Sequence, residues 1–149
     1  GSHATTFMCL EWIANNINSS INSVIDYGCG SGILAISAKK FGASKVIATD
    51  IDLQAIEATN NNALVNEVTL DIMLPNKIKT KADIVIANIL VNPLIKLANI
   101  LSDLATNTLI LSGILANQVD DILCVYQKWF DIRVVNSKDE WVLLLCQKK

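Results

Sequence analysis

The sequence predicts an α/β fold: a three-layer αβα arrangement around an open, mostly parallel, seven-stranded sheet with one antiparallel strand. Three observations carry this. Strand-like and helix-like segments alternate from end to end. Hydrophobic residues make up 52% of the 149 positions and charged residues only 17%, which suits strands buried on both faces beneath helices. The last two strand-like runs have no helix between them, so one late strand turns back. No linker or repeat interrupts the pattern, and a single domain over residues 1–149 is expected.

Apolar residues at Phe7, Met8, Leu10, Trp12, Ile13 and Ile17 recur at helical spacing and predict a helix over Thr5 to Ile17. Ser23 to Tyr27 is a short strand, followed by a glycine turn over Gly28 to Gly32 and a helix over Ile33 to Phe41 that Gly42 stops. Lys45 to Thr49 is the second strand and Gln54 to Val65 the next helix. The third strand is expected over Val68 to Ile72, bounded by Pro75, and the very apolar fourth over Ala82 to Ala87. A helix over Asn92 to Ser102 carries Pro93 in its first turn. Thr108 to Leu111 is the fifth strand, closed by Ser112 and Gly113, and Ala116 to Lys128 the last helix. Phe130 to Asn136 and Trp141 to Gln147 form a final hairpin across Ser137 to Glu140.

The formal net charge is −2, and the densest positive region is Lys77, Lys79 and Lys81 in one short loop. That disfavours duplex binding through phosphate neutralisation. No run approaches the roughly 20 apolar residues of a membrane span, and the N-terminus has no charged-then-apolar leader pattern. Cys9, Cys29, Cys124 and Cys146 are scattered and His3 is the sole histidine, so no metal site is expected. Reduced thiols suggest a cytoplasmic protein.

The chemistry concentrates at the end of the first strand, Asp26-Tyr27-Gly28-Cys29-Gly30-Ser31-Gly32. In such sheets ligands bind beyond the carboxyl ends of the strands, where strand order reverses. Alternate glycines let the backbone turn sharply and touch a ligand directly. The helix that follows at once points free N–H groups to the same place. A dinucleotide fold wants G-x-G-x-x-G, but Ile33 stands where its third glycine belongs. The pattern is instead G-x-G-x-G, that of S-adenosylmethionine enzymes. The second strand ends at Asp50, about 20 residues further on, where an acid can accept two ribose hydroxyls. Asp52 is a second candidate for that role.

Four segments resemble the ribosomal protein L-eleven methyltransferase family (PrmA) and together span nearly the whole chain. They are Gly1-Ser2-His3-Ala4-Thr5-Thr6 with Cys9-Leu10-Glu11-Trp12, Val24 to Ile36, Ala82 to Leu90 running on to Pro93-Leu94, and Leu111 to Leu115 with Glu140-Trp141. The resemblance implies a Rossmann-like class I S-adenosylmethionine-dependent methyltransferase. It would N-methylate lysine side chains and the N-terminal amine of a large-subunit ribosomal protein, with S-adenosyl-L-methionine as cofactor.

Carried over by position, Thr6 would contact the cofactor from the N-terminal segment. Gly28, Cys29, Gly30 and Gly32 would hold its methionine part, Asp50 with Ile51 beside it would bind the ribose side, and Asn88 would sit beside the transferring methyl group as the catalytic residue. The family's separate N-terminal recognition domain is expected to be absent, because the sequence opens inside the family's G-[ST]-H-x-T-T motif. Gly1-Ser2-His3 also reads as a tag remnant. Glu67 stands where the family usually has glycine, and the loop Leu74 to Lys81 is short. Both departures bear on the adenine-side wall.

Simpler roles compete at several positions. Thr5 and Thr6 can cap the first helix, Asn88 can merely end a buried strand, and Asp83 is structural. Cys29 has no histidine base near it and is not read as a nucleophile. Trp12, Trp129 and Trp141 are core or rim packing. Competing functions are a methyltransferase for a small molecule or nucleic-acid base, a nicotinamide-dependent oxidoreductase, and a non-catalytic cofactor-binding domain. Asn88-Ile89-Leu90-Val91 lacks the aromatic that base methyltransferases stack on a flipped base. Ile33 argues against the oxidoreductase.

Overall fold

The computed structural model describes residues 3–149, so Gly1 and Ser2 of the opening segment lie outside the described residues. Seven strands form one sheet in the order β3-β2-β1-β4-β5-β7-β6. β1 (Ser23–Tyr27), β2 (Lys45–Thr49), β3 (Asp71–Met73), β4 (Ala82–Asn88) and β5 (Ala105–Leu115) run parallel. β7 (Trp141–Lys148) is antiparallel both to β5 and to β6 (Phe130–Lys138). It is the expected reversed strand.

Helices cover both faces. α1 (His3–Asn16) and α2 (Ile33–Lys40) bury Met8, Cys9, Ile13, Leu34 and Ala38 against Val24, Ile84 and Ile110. α3 (Leu53–Val65) flanks α2 and β3. On the opposite face α4 (Val91–Lys96), α5 (Ala98–Leu104) and α6 (Val119–Tyr126) bury Leu94, Leu101, Ile122 and Tyr126 against Val85, Leu109 and Leu144. Both sheet faces are therefore dry, which accounts for the apolar composition.

Five elements differ from expectation. β3 begins at Asp71, because Val68 is used to close α3: its N–H donates to the Ala63 carbonyl and that of Glu67 to Leu64. The helix expected over Asn92 to Ser102 breaks at Leu97. The Leu94 carbonyl, which an unbroken helix would give to the Ala98 N–H, accepts the Tyr126 hydroxyl at 2.5 Å. β5 does not close at Ser112-Gly113; that pair forms an irregularity between Leu111 and Ile114, and the strand runs on to Leu115. Ala116–Gln118 is a 3-10 turn ahead of α6. Finally, α1 starts at His3, which places Thr5 and Thr6 inside the helix rather than at a cap.

Candidate active site

Strand order reverses between β1 and β4, and a cavity of about 540 Å³ opens at their carboxyl ends. The cavity is lined by Gly28, Gly30, Asp50, Ile51 and Asn88 at the tips of β1, β2 and β4, and by Ile89, Leu90, Pro93, Gly113 and Trp141, with Tyr27 and Leu97 completing the lining. The size suits a cofactor or a small molecule.

Backbone bonds hold the glycine turn. The N–H groups of Gly28 and Cys29 both donate to the Thr49 carbonyl, at 2.8 and 2.9 Å, which pins the turn to the tip of β2. Gly30 has φ +54, and a Cβ there would meet no atom within 4 Å. The space over its Cα is therefore open, while its N–H goes to Asp50 and its carbonyl accepts the Thr59 hydroxyl at 3.0 Å. The Asp50 carboxylate accepts from the Gly30 N–H through Oδ2 and from the Asp52 N–H through Oδ1, each at 3.0 Å. A carboxylate has about four lone-pair sites, so acceptor capacity is left over. Ile51 is 85% exposed at the cavity mouth. Asn88 Oδ1 is buried with no hydrogen-bond partner among the described residues.

Not every expected residue reaches the cavity wall. Thr6 is half-buried in α1 and is not among the lining residues. The Cys29 thiol turns away, 3.3 Å from Thr59 Oγ1, and burial pushes it up to about 11. Gly32 begins α2, and a Cβ on it would lie 2.7 Å from Thr59 Cγ2. Its place is the close packing of α2 and α3. Asp52 caps α3 by accepting the Gln54 N–H at 2.9 Å. Asp83 accepts the Ser23 N–H at the opposite end of the sheet. His3 is exposed.

Beneath the turn, Asp26 is fully buried. Its Oδ2 accepts the Ala35 N–H at 3.1 Å, and Oδ1 has no partner among the described residues. Burial raises its carboxyl to about 7, against the opposing effect of the Ala35 bond.

The lining contributed by Gly113 and Trp141 is not a site the sequence names. Gly113 and Trp141 arrive through strand register: Ser112 pairs with Asn88 across β4 and β5, and Trp141 pairs with Leu115 across β5 and β7. A glycine near the carboxyl end of a strand next to β4 was the available signal. Among the described residues no group of three or more His, Cys, Asp and Glu side chains could hold a metal ion, and no helix is long and apolar enough to cross a membrane.

A 3-2-1-4-5-7-6 sheet with β7 reversed, and a cleft where β1 meets β4, define the class I methyltransferase fold. Solved structures share it. The ribosomal protein L11 methylase of Lactobacillus delbrueckii subsp. bulgaricus aligns with 100% of this chain and 80% of its own, at 32% identity and a TM-score of 0.90. A Pyrococcus furiosus methyltransferase aligns over 97% and 81%, with TM-score 0.78 and 17% identity, a likeness of fold alone.

Residues 1–149 match the family described as ribosomal protein L11 methyltransferase (PrmA), and the chain belongs to that family. The ribosomal protein L11 methyltransferase of Thiobacillus denitrificans is 44% identical over 152 aligned residues, which cover 100% of this chain and 51% of the relative. That of Nitrosococcus oceani is 47% identical over 150, covering 97% and 51%. The chain thus spans about half the length of these curated relatives.

Proposed function

We propose that residues 1–149 form the catalytic domain of an S-adenosyl-L-methionine-dependent protein N-methyltransferase. Its substrate is ribosomal protein L11, modified at lysine side chains and at the N-terminal amine. The observation that carries this reading is the open space over Gly30 beside a partly unused Asp50 carboxylate, with Asn88 lining the same cavity and its Oδ1 unpartnered among the described residues. Family membership and the names of the relatives support the substrate.

The cavity fits the cofactor on this chain's own features. The open space over Gly30 admits a ligand against the backbone. Asp50 supplies acceptors for ribose hydroxyls, each worth roughly 1.5–3 kcal/mol as a charged hydrogen bond. When bound, S-adenosyl-L-methionine supplies a methyl group on an already activated sulfonium. The protein's share is therefore placement and dryness. A carbonyl oxygen of Asn88 accepts an N–H of the incoming amine and aims its lone pair. Leu90, Pro93 and Trp141 line the cleft with apolar surface, and a drier site favours the neutral amine that the reaction needs. Placement of this kind supplies roughly 7–11 kcal/mol of the barrier. A ribosomal protein as substrate and four free cysteines support a cytoplasmic location.

Calorimetry with S-adenosylhomocysteine and with NADH tests the cofactor, and mass spectrometry of L11 incubated with the protein and cofactor tests the substrate. Binding of the first compound alone is the expected result, with only poor addition of methyl groups to L11 amines by residues 1–149 by themselves. Binding of NADH, or methylation confined to a nucleic-acid base, would overturn the reading.

A further inference from the structure

We propose that Ile89 is a positioning residue for the amine-binding Asn88, acting as a wedge between two glycines on the strands that flank β4. The inference rests on the role given to Asn88 above. β4 lies between β1 and β5 in the sheet. Gly28 follows the end of β1, and Gly113 lies in the irregular end of β5. Both have φ +86. A Cβ on Gly28 would lie 2.6 Å from Ile89 Cγ2. A Cβ on Gly113 would lie 2.3 Å from the Ile89 carbonyl oxygen and 2.8 Å from its carbon. Ile89 therefore fills the space over one glycine with its side chain and over the other with its main chain. The tip of β4 is gripped from both sides.

This grip matters because Asn88 Oδ1 has no hydrogen bond among the described residues to orient it. An unbonded amide takes its direction from what packs around it, and the residue next along the chain is the one held on both sides. The two contacts differ in kind. The Gly28 contact is with a methyl that substitution removes. The Gly113 contact is with backbone that no substitution at position 89 removes.

The test uses the ligand-free protein, so its failure is separate from that of the functional reading, which calorimetry with S-adenosylhomocysteine decides. The Asn88 side-chain amide resonances, assigned by their loss in Asn88→Ser, are recorded in Ile89→Val and Ile89→Ala. Valine keeps the branched methyl and should leave them in place; alanine should move them. Unmoved signals in Ile89→Ala, or equal movement in both variants, would overturn the proposal. Thermal melting provides the second arm. Gly28→Ala should lose fewer degrees when combined with Ile89→Ala than when Ile89 is kept, since the φ +86 strain is common to both and only the methyl contact is relieved, and Gly113→Ala the same in both backgrounds. Equal loss for Gly28→Ala, or relief of Gly113→Ala, would refute the wedge. Should a glycine variant not fold, the resonance comparison alone decides.

Discussion

The Asp50 carboxylate accepts the Gly30 N–H at 3.0 Å, tying the tip of β2 to the glycine turn that leaves β1. One side chain thus shapes the turn and still has acceptor capacity facing the cavity. Asp50→Ala should weaken S-adenosylhomocysteine binding by roughly 3–6 kcal/mol, two charged hydrogen bonds at about 1.5–3 kcal/mol each. Asp50→Asn keeps one acceptor oxygen and should fall between. Calorimetry checks both, and an unchanged dissociation constant in Asp50→Ala would refute the ribose assignment.

Asp26 makes stability depend on pH. Burial raises its folded-state carboxyl to about 7 from the ordinary 3.8, so the folded chain holds the proton more tightly than the unfolded one. The stability from this group is full below about pH 4 and is lost as pH rises to about 7, a change on the order of a few kcal/mol. Asp26→Asn should flatten the fall across that window in denaturant titrations. An identical slope in the variant would show that Asp26 does not titrate there.

Glu67 sits at φ 57 just beyond α3, in the left-handed region where its N–H and that of Val68 close the helix. That conformation costs a residue with a Cβ roughly 1–2 kcal/mol, and glycine returns roughly 0.5–1 kcal/mol as chain entropy. Glu67→Gly should therefore stabilise the fold by about 0.5–1 kcal/mol, read from its melting curve.

Burial raises the thiols of Cys9 and Cys146 to about 12 and that of Cys29 to about 11, while Cys124 is exposed on α6. A thiol reagent at neutral pH should modify Cys124 in the native protein and all four cysteines only after unfolding. Rapid native-state labelling of Cys29 would contradict the buried contact with Thr59.

β1 and β2 were legible to the residue because each is an apolar run bounded by turn residues. Asp50 and Asn88 were legible because a polar group must end such a run at the strand tip. What escaped depends on partners distant in sequence. The break at Leu97 goes with Tyr126 taking the Leu94 carbonyl. Ser112-Gly113 looks like a strand end, yet register with β4 and β7 carries β5 through it. Trp141 reads as packing until pairing with Leu115 sets it on the cavity wall. Gly28 and Gly32 look alike in the turn, but one faces Ile89 and the other Thr59.

The central claim is that the cleft between β1 and β4 grips an adenosyl sulfonium with its ribose on Asp50. A crystal structure of the protein with S-adenosylhomocysteine tests it most directly. The account predicts the ribose hydroxyls on the Asp50 carboxylate, the homocysteine portion against the Gly30 peptide, and the sulfur facing Asn88. A ligand bound elsewhere, or seated in the cleft with its ribose away from Asp50, would contradict it.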